Sequence, residues 1–189
     1  MKRLFLPLVL ALVAGCLSPA PKAPTNWTIE IGCRPDLQSS QLASRRQLRL
    51  NRVRVRAPFA GRRIAVLRDD GSVAVDSYNV FAAAPALLLT GAALDAVNSS
   101  PDATCVLLSE DSSVRCKESI EITVSTFALD CRQGRRDARV ALEVALLSGR
   151  DLVANGAGAA AVPVTGDFSQ AFSSAYAAAL AEAFGKLVR

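Results

Sequence analysis

The chain has 189 residues, 22 Lys and Arg against 17 Asp and Glu for a formal charge of +5, and no histidine. The missing imidazole removes the commonest general base, Ser-His and Cys-His nucleophile pairs, and the commonest metal ligand. The positive balance is mild and does not by itself suggest a nucleic-acid partner.

Lys2 and Arg3 precede an almost unbroken apolar run, Leu4 to Val13, and small residues lead from there into Cys16. The run is too short to span a bilayer, which takes roughly 20 residues, and has the layout of a secretory signal. The cysteine directly after the small residues resembles the bacterial lipobox. That resemblance implies a signal peptide over residues 1–15 and a mature N-terminus at Cys16 carrying lipid on its sulfur and amine. By analogy with lipoprotein sorting, Leu17 rather than Asp after the cysteine favours the periplasmic face of the outer membrane. Several acyl chains on one residue exceed the two-signal threshold for stable anchoring. Pro19, Pro21 and Pro24 then mark residues 16–26 as an extended tether.

The folded domain is expected over residues 27–189. Trp27 to Ile31 alternates large apolar and polar residues, the period of a strand with one buried face. Leu48 to Arg56 alternates again but changes phase at Asn51/Arg52, which predicts a bulge. Arg62 to Leu67 and Ser72 to Tyr78 flank Arg68-Asp69-Asp70-Gly71, a hairpin signal. The period lengthens over Phe81 to Asn98. Pro85 fits a first helical turn there, and Leu87, Leu88, Leu94 and Val97 make a wide apolar face. Four strands are predicted next, at Thr104 to Ser109, Ser119 to Leu129, Arg139 to Leu147 and Leu152 to Val162. Gly156, Gly158 and the alanines of the last weaken its β propensity. Asp167 caps a final helix, with Gln170 at the capping-box position and Phe168, Phe172, Ala175, Tyr176, Ala179, Ala183 and Leu187 on one stripe. Together these predict an α+β two-layer sandwich, a mostly antiparallel sheet with two long helices packed on one face.

Four cysteines remain beyond Cys16: Cys33, Cys105, Cys116 and Cys131. An even count in an exported chain suggests two disulfides, with three pairings open. Cys105–Cys116 would staple a local connection and Cys33–Cys131 would join distant strands. No Cys-x-x-Cys exists, so no metal site is expected, and no cofactor beyond the lipid on Cys16. Arg45 to Arg63 is arginine-rich with no compensating acid in the run. Arg49, Arg52, Arg54 and Arg56 are the candidates for binding a partner or phospholipid head groups, since guanidinium grips phosphate bidentately. A solvated outer sheet face is the alternative for the same residues. Asp69-Asp70 and Glu110-Asp111 lie in predicted turns, where Asp is favoured for backbone reasons. With no nucleophile elbow, P-loop or dinucleotide fingerprint, the chain does not look like an enzyme.

The order of elements resembles the ABC-type transport auxiliary lipoprotein family (the PqiC-like lipoproteins). The residues behind this are the lipobox and proline tether, the Val53-Arg54-Val55-Arg56-Ala57-Pro58-Phe59-Ala60-Gly61 stretch, Phe81-Ala82-Ala83-Ala84-Pro85, the strand from Ile120 to Leu129, the Ala/Val strand over 138–147 and the Ala-rich last helix. The family's usual Trp before the Pro-containing segment is replaced here by Phe81. The resemblance implies an outer-membrane lipoprotein that docks the periplasmic conduit of an MCE-type (Mla- or Pqi-like) ABC phospholipid transporter. It also allows a homo-oligomeric ring matching the conduit. The alternative is a structural envelope lipoprotein assisting another outer-membrane machine, a secretin or lipopolysaccharide-export complex.

Overall fold

The computed structural model describes residues 25–27, 45–100 and 104–187; Cys16, Cys33 and the predicted strand beyond Trp27 lie outside them. In chain order come β1 (Thr25–Trp27), β2 (Arg46–Leu50), β3 (Arg54–Val55), β4 (Arg63–Leu67), β5 (Val73–Phe81) and α1 (Pro85–Ser99). β6 (Cys105–Leu108), β7 (Glu118–Asp130), a 3-10 turn at Arg132–Gly134, β8 (Asp137–Ser148), β9 (Asp151–Pro163) and α2 (Phe168–Leu187) follow. Among the described residues the first strand begins at Thr25, two residues before the expected domain start at Trp27.

The nine strands form one sheet with β7 as its spine. β8 pairs antiparallel along the whole of β7, and β9 pairs antiparallel with β8. The other side of β7 takes three short strands in succession, β2, β3 and β4, all parallel to it. β6 lies parallel outside β2, and β5 antiparallel outside β4, with β1 parallel to β5. The architecture is α+β as expected, but the sheet is mixed and not mostly antiparallel. Alternation reports which face of a strand is buried and carries no information on its partner's direction. The course from Arg46 to Leu67 runs along β7 as three pieces, and α1 carries the chain from β5 across the sheet to β6, beyond β2.

The phase change at Asn51/Arg52 has a countable cause. Leu50 is opposite Ile120 and Arg54 opposite Thr123, so four steps on one side face three on β7. One residue is extra, the definition of a bulge. The backbone N–H groups stay occupied: Asn51 donates to Ile120 O at 3.0 Å, and Val53 donates to Thr90 Oγ1 at 3.1 Å. The Thr90 hydroxyl in turn donates to Ala86 O within α1.

Both helices lie on one face of the sheet, α2 along β8 and β9 and α1 over β6 and β3. The strands bury Ile120, Ile122, Val124, Phe127, Val140, Leu142 and Val144 beneath them. Phe81, Phe127 and Phe172 meet with ring centroids 4.9–5.7 Å apart, tying β5, β7 and α2 together. Such ring pairs are worth about 0.5–1.5 kcal/mol each beyond their buried area. Tyr176 is fully buried and its hydroxyl donates to Leu89 O at 3.1 Å, joining the two helices. Asp167 caps α2 as predicted, its carboxylate accepting Ser169 N–H at 2.8 Å. Of the predicted apolar face of α1, Leu88, Leu94 and Val97 pack partly buried against the core beside the buried Pro85, Leu89, Ala92 and Ala93, while Leu87 is 59% exposed. A helix of Ala and Leu is apolar all round, so its sequence fixes the inward side poorly.

Two margins of the sheet are closed by side chains from the helices. Asn98 reaches β6 with its whole amide, donating to Leu107 O at 2.9 Å and accepting Leu107 N–H at 2.8 Å. On β9, Glu182 accepts Ala159 N–H at 3.0 Å and Lys186 donates to Ala157 O at 2.7 Å. A bulge where β9 begins adds to this protection of an otherwise open edge.

Candidate interaction surface

The face of the sheet opposite the helices has no described element across it. Strand alternation places Glu121 and Thr123 of β7, Glu143 and Ala145 of β8, and Asn155 and Ala157 of β9 on it in register. Arg54 stands beside Thr123 in the same row. The result is a flat grid with an alanine floor and charged rims. A shallow cleft of about 420 Å³ lies among Glu121, Thr123, Glu143, Leu152, Asn155 and Lys186.

The candidate arginines separate by role. Arg52, Arg54 and Arg56 are exposed while Val53 is buried, so the predicted alternation holds. Arg54 lies 3.9 Å from Glu121 and Arg56 3.8 Å from Glu143. Glu121 also accepts from Asn51 Nδ2 at 3.3 Å. The arginine run is therefore compensated after all, by acids on β7 and β8 far away in sequence. Arg52 makes no ion pair with a described residue. Arg49 is half-buried and engaged within the domain: its guanidinium donates to Glu110 O at 3.1 Å and Val114 O at 2.7 Å, and holds the loop before β7. Arg46, outside the candidate set, grips the Glu118 carboxylate with two donors, one at 2.6 Å.

A second basic cluster, Arg132, Arg135, Arg136 and Arg139 around the turn before β8, also has structural work. Asp130 is buried at the end of β7 and takes Arg132 Nη2 at 2.6 Å and Arg139 Nη1 at 3.3 Å. The hydrogen bonds from Arg132 hold the Asp130 carboxyl far below the usual carboxylate range. Arg136 stacks over Phe168, 4.8 Å from the ring centre. Of the turn carboxylates, Asp69 accepts Gln133 N–H at 2.6 Å and Asp70 accepts Ser72 N–H at 2.9 Å. Both serve backbone turns.

Cys105, Cys116 and Cys131 carry free thiols, so the expected Cys105–Cys116 bond is absent. β2 lies between β6, which opens with Cys105, and β7, which opens two residues after Cys116. Arg46 of β2 faces Cys105 in the ladder and grips the Glu118 carboxylate. Burial pushes the Cys105 and Cys131 thiols up, which disfavours the thiolate that nucleophilic chemistry needs. No group of three or more Cys, Asp or Glu among the described residues is placed to hold a metal ion.

No family model matches the chain, and no curated protein matches it. Several solved structures share its fold, among them the following two. Protein XCC0632 from Xanthomonas campestris, of family-model DUF330, superposes with a TM-score of 0.61 at 19% identity, over 82% of this chain and 87% of its own. An uncharacterized protein gives 0.60 at 13% identity, over 85% and 93%. At these identities the likeness is one of fold alone. The assignment to the ABC-type transport auxiliary lipoproteins made from residue patterns is corrected accordingly: what the chain is similar to is a DUF330 protein. Patterns of alternating strands and Ala-rich helices describe a fold and do not single out a family.

Proposed function

We propose that this protein is a lipid-anchored docking component of the bacterial cell envelope, with no catalytic residue of its own. Its anchor is lipid on Cys16, which holds the domain at the periplasmic face of the outer membrane. Its working surface is the open sheet face, and the observation that carries the reading is the grid of Arg54, Arg56, Glu121 and Glu143 on an alanine floor. Exposed ion pairs of this length add little to stability, about 0–1 kcal/mol each. In an interface the same charges set register and partner choice. The partner we propose is the periplasmic end of an MCE-type conduit of an ABC phospholipid transport system. Small side chains at the centre let a flat partner surface approach closely, and the charged rim orients it.

The test is recovery of the anchored protein from cross-linked envelopes with mass spectrometry of its companions. An MCE protein among the leading partners, lost in the Arg54→Glu/Arg56→Glu double variant, supports the reading. Reproducible recovery of a secretin or lipopolysaccharide-export component, with no MCE protein, overturns it.

A further inference from the structure

Of the sheet margins, β6 is capped by Asn98 and β9 by Glu182 and Lys186. β5 differs. β1 covers only Asn79 to Phe81, and no described residue hydrogen-bonds the outer edge of the stretch from Val73 to Ser77. Val73 is exposed at 41%, Val75 at 54% and Tyr78 at 52%. An irregularity in the β4–β5 register falls here, and the Asp76 carboxylate accepts Tyr78 N–H at 2.7 Å and Asn79 N–H at 2.9 Å within β5, with Tyr78 facing outward.

The chain enters the domain at the same place. Thr25 is paired with Asn79, next to Tyr78, and β1 runs parallel to β5. Cys16 is nine residues before Thr25. Fully extended, that length reaches about 30 Å, so an anchor at Cys16 keeps this margin close to the bilayer. We infer that the β5 margin from Val73 to Tyr78 is the surface that rests on the phospholipid bilayer. The inference depends on the lipid-anchor reading of Cys16. Tyr78 has the amphipathic ring that suits the head-group level, and Val73 and Val75 supply apolar contact beside it. Arg68 at the adjacent hairpin tip stands against Asp69, Asp70 and, within the stretch, Asp76, so the margin carries no excess of positive charge to draw anionic lipid. The contact is therefore apolar rather than electrostatic, and fits a zwitterionic lipid surface.

Trp27 is the only tryptophan, so a Trp27→Phe background allows one probe at a time. The full lipidated chain, carrying Tyr78→Trp or Leu87→Trp, is reconstituted into phosphatidylethanolamine-rich vesicles with or without brominated acyl chains. Leu87 is equally exposed but lies on α1. The expected result is an about two-fold loss of fluorescence at position 78 and none at position 87, unchanged by salt. Amide hydrogen exchange on the unsubstituted lipidated chain gives the same answer without substitution, with slowing at residues 73–78 and none over 85–99. Equal quenching at both positions, with radiolabelled fatty acid present on Cys16, overturns this surface and leaves the anchor reading standing. Absence of that label overturns both.

Discussion

A methyl group added to Gly158 would sit 2.0 Å from the carbonyl oxygen of Ala179, because α2 rests its backbone directly on β9. Gly156 has the same relationship to Ala183, at 2.2 Å. The residues that weaken β9 as a strand are the ones that let a helix close over it. Neither clash can be relieved by a side-chain rotation, since the obstacle is backbone. Gly158→Ala is expected to cost at least about 1–3 kcal/mol, the range for overpacking, read as a lower urea midpoint with unchanged slope.

Gly91 and Gly185 provide the contrast. Both lie inside helices, and a Cβ at either meets nothing within 4 Å. Gly91→Ala should raise stability by about 1 kcal/mol, the ordinary helical penalty of glycine, in the same urea experiment. The same substitution thus acts with opposite sign on two elements.

Asp130 ties stability to acid pH. Hydrogen bonds from Arg132 depress its folded-state pKa, so its contribution is present above the unfolded carboxylate value, about 3.9, and is lost as pH falls through that value toward the folded one. Because both arginines are partly exposed, its worth is taken at the lower end of buried charged hydrogen bonds, about 1–3 kcal/mol. Asp130→Asn should lose that amount at pH 7 and show a flatter decline in stability between pH 4 and pH 2.

Tyr176 acts at the alkaline end. Burial raises its phenol pKa, so the folded state favours the neutral form. Its stability contribution is full below the unfolded value of about 10 and falls as pH rises beyond it. Tyr176→Phe should remove that alkaline loss and cost about 1 kcal/mol at neutral pH for the bond to Leu89 O.

The clasp on β9 guards against self-pairing. Glu182→Ala with Lys186→Ala frees Ala159 N–H and Ala157 O, and should produce concentration-dependent association in sedimentation velocity. A sedimentation profile identical to that of the unsubstituted protein would show that the bulge and α2 suffice.

Strands, hairpin and both helices were legible because each follows from local period and turn chemistry. The Arg68–Gly71 turn is an example, with Gly71 at φ +78° where a left-handed residue is needed. What was not legible is what the tertiary fold supplies. The partners of Arg54 and Arg56 are 67 and 87 positions further along the chain, on β7 and β8. The parallel direction of β2, β3 and β4 comes from how one course is laid along β7, which alternation does not encode. Arg49 looked like its neighbours in the run, yet its guanidinium donates to the carbonyls of Glu110, Ser112 and Val114 in the loop before β7.

The most direct test of the docking account places a photo-crosslinking residue at Ala145, in the middle of the open face, and at Leu87 on the opposite layer. The anchored protein is then irradiated in intact envelopes. The account predicts an adduct with an MCE protein from position 145 and none from position 87. Adducts from position 87 alone, or from position 145 only to an unrelated assembly machine, would contradict it.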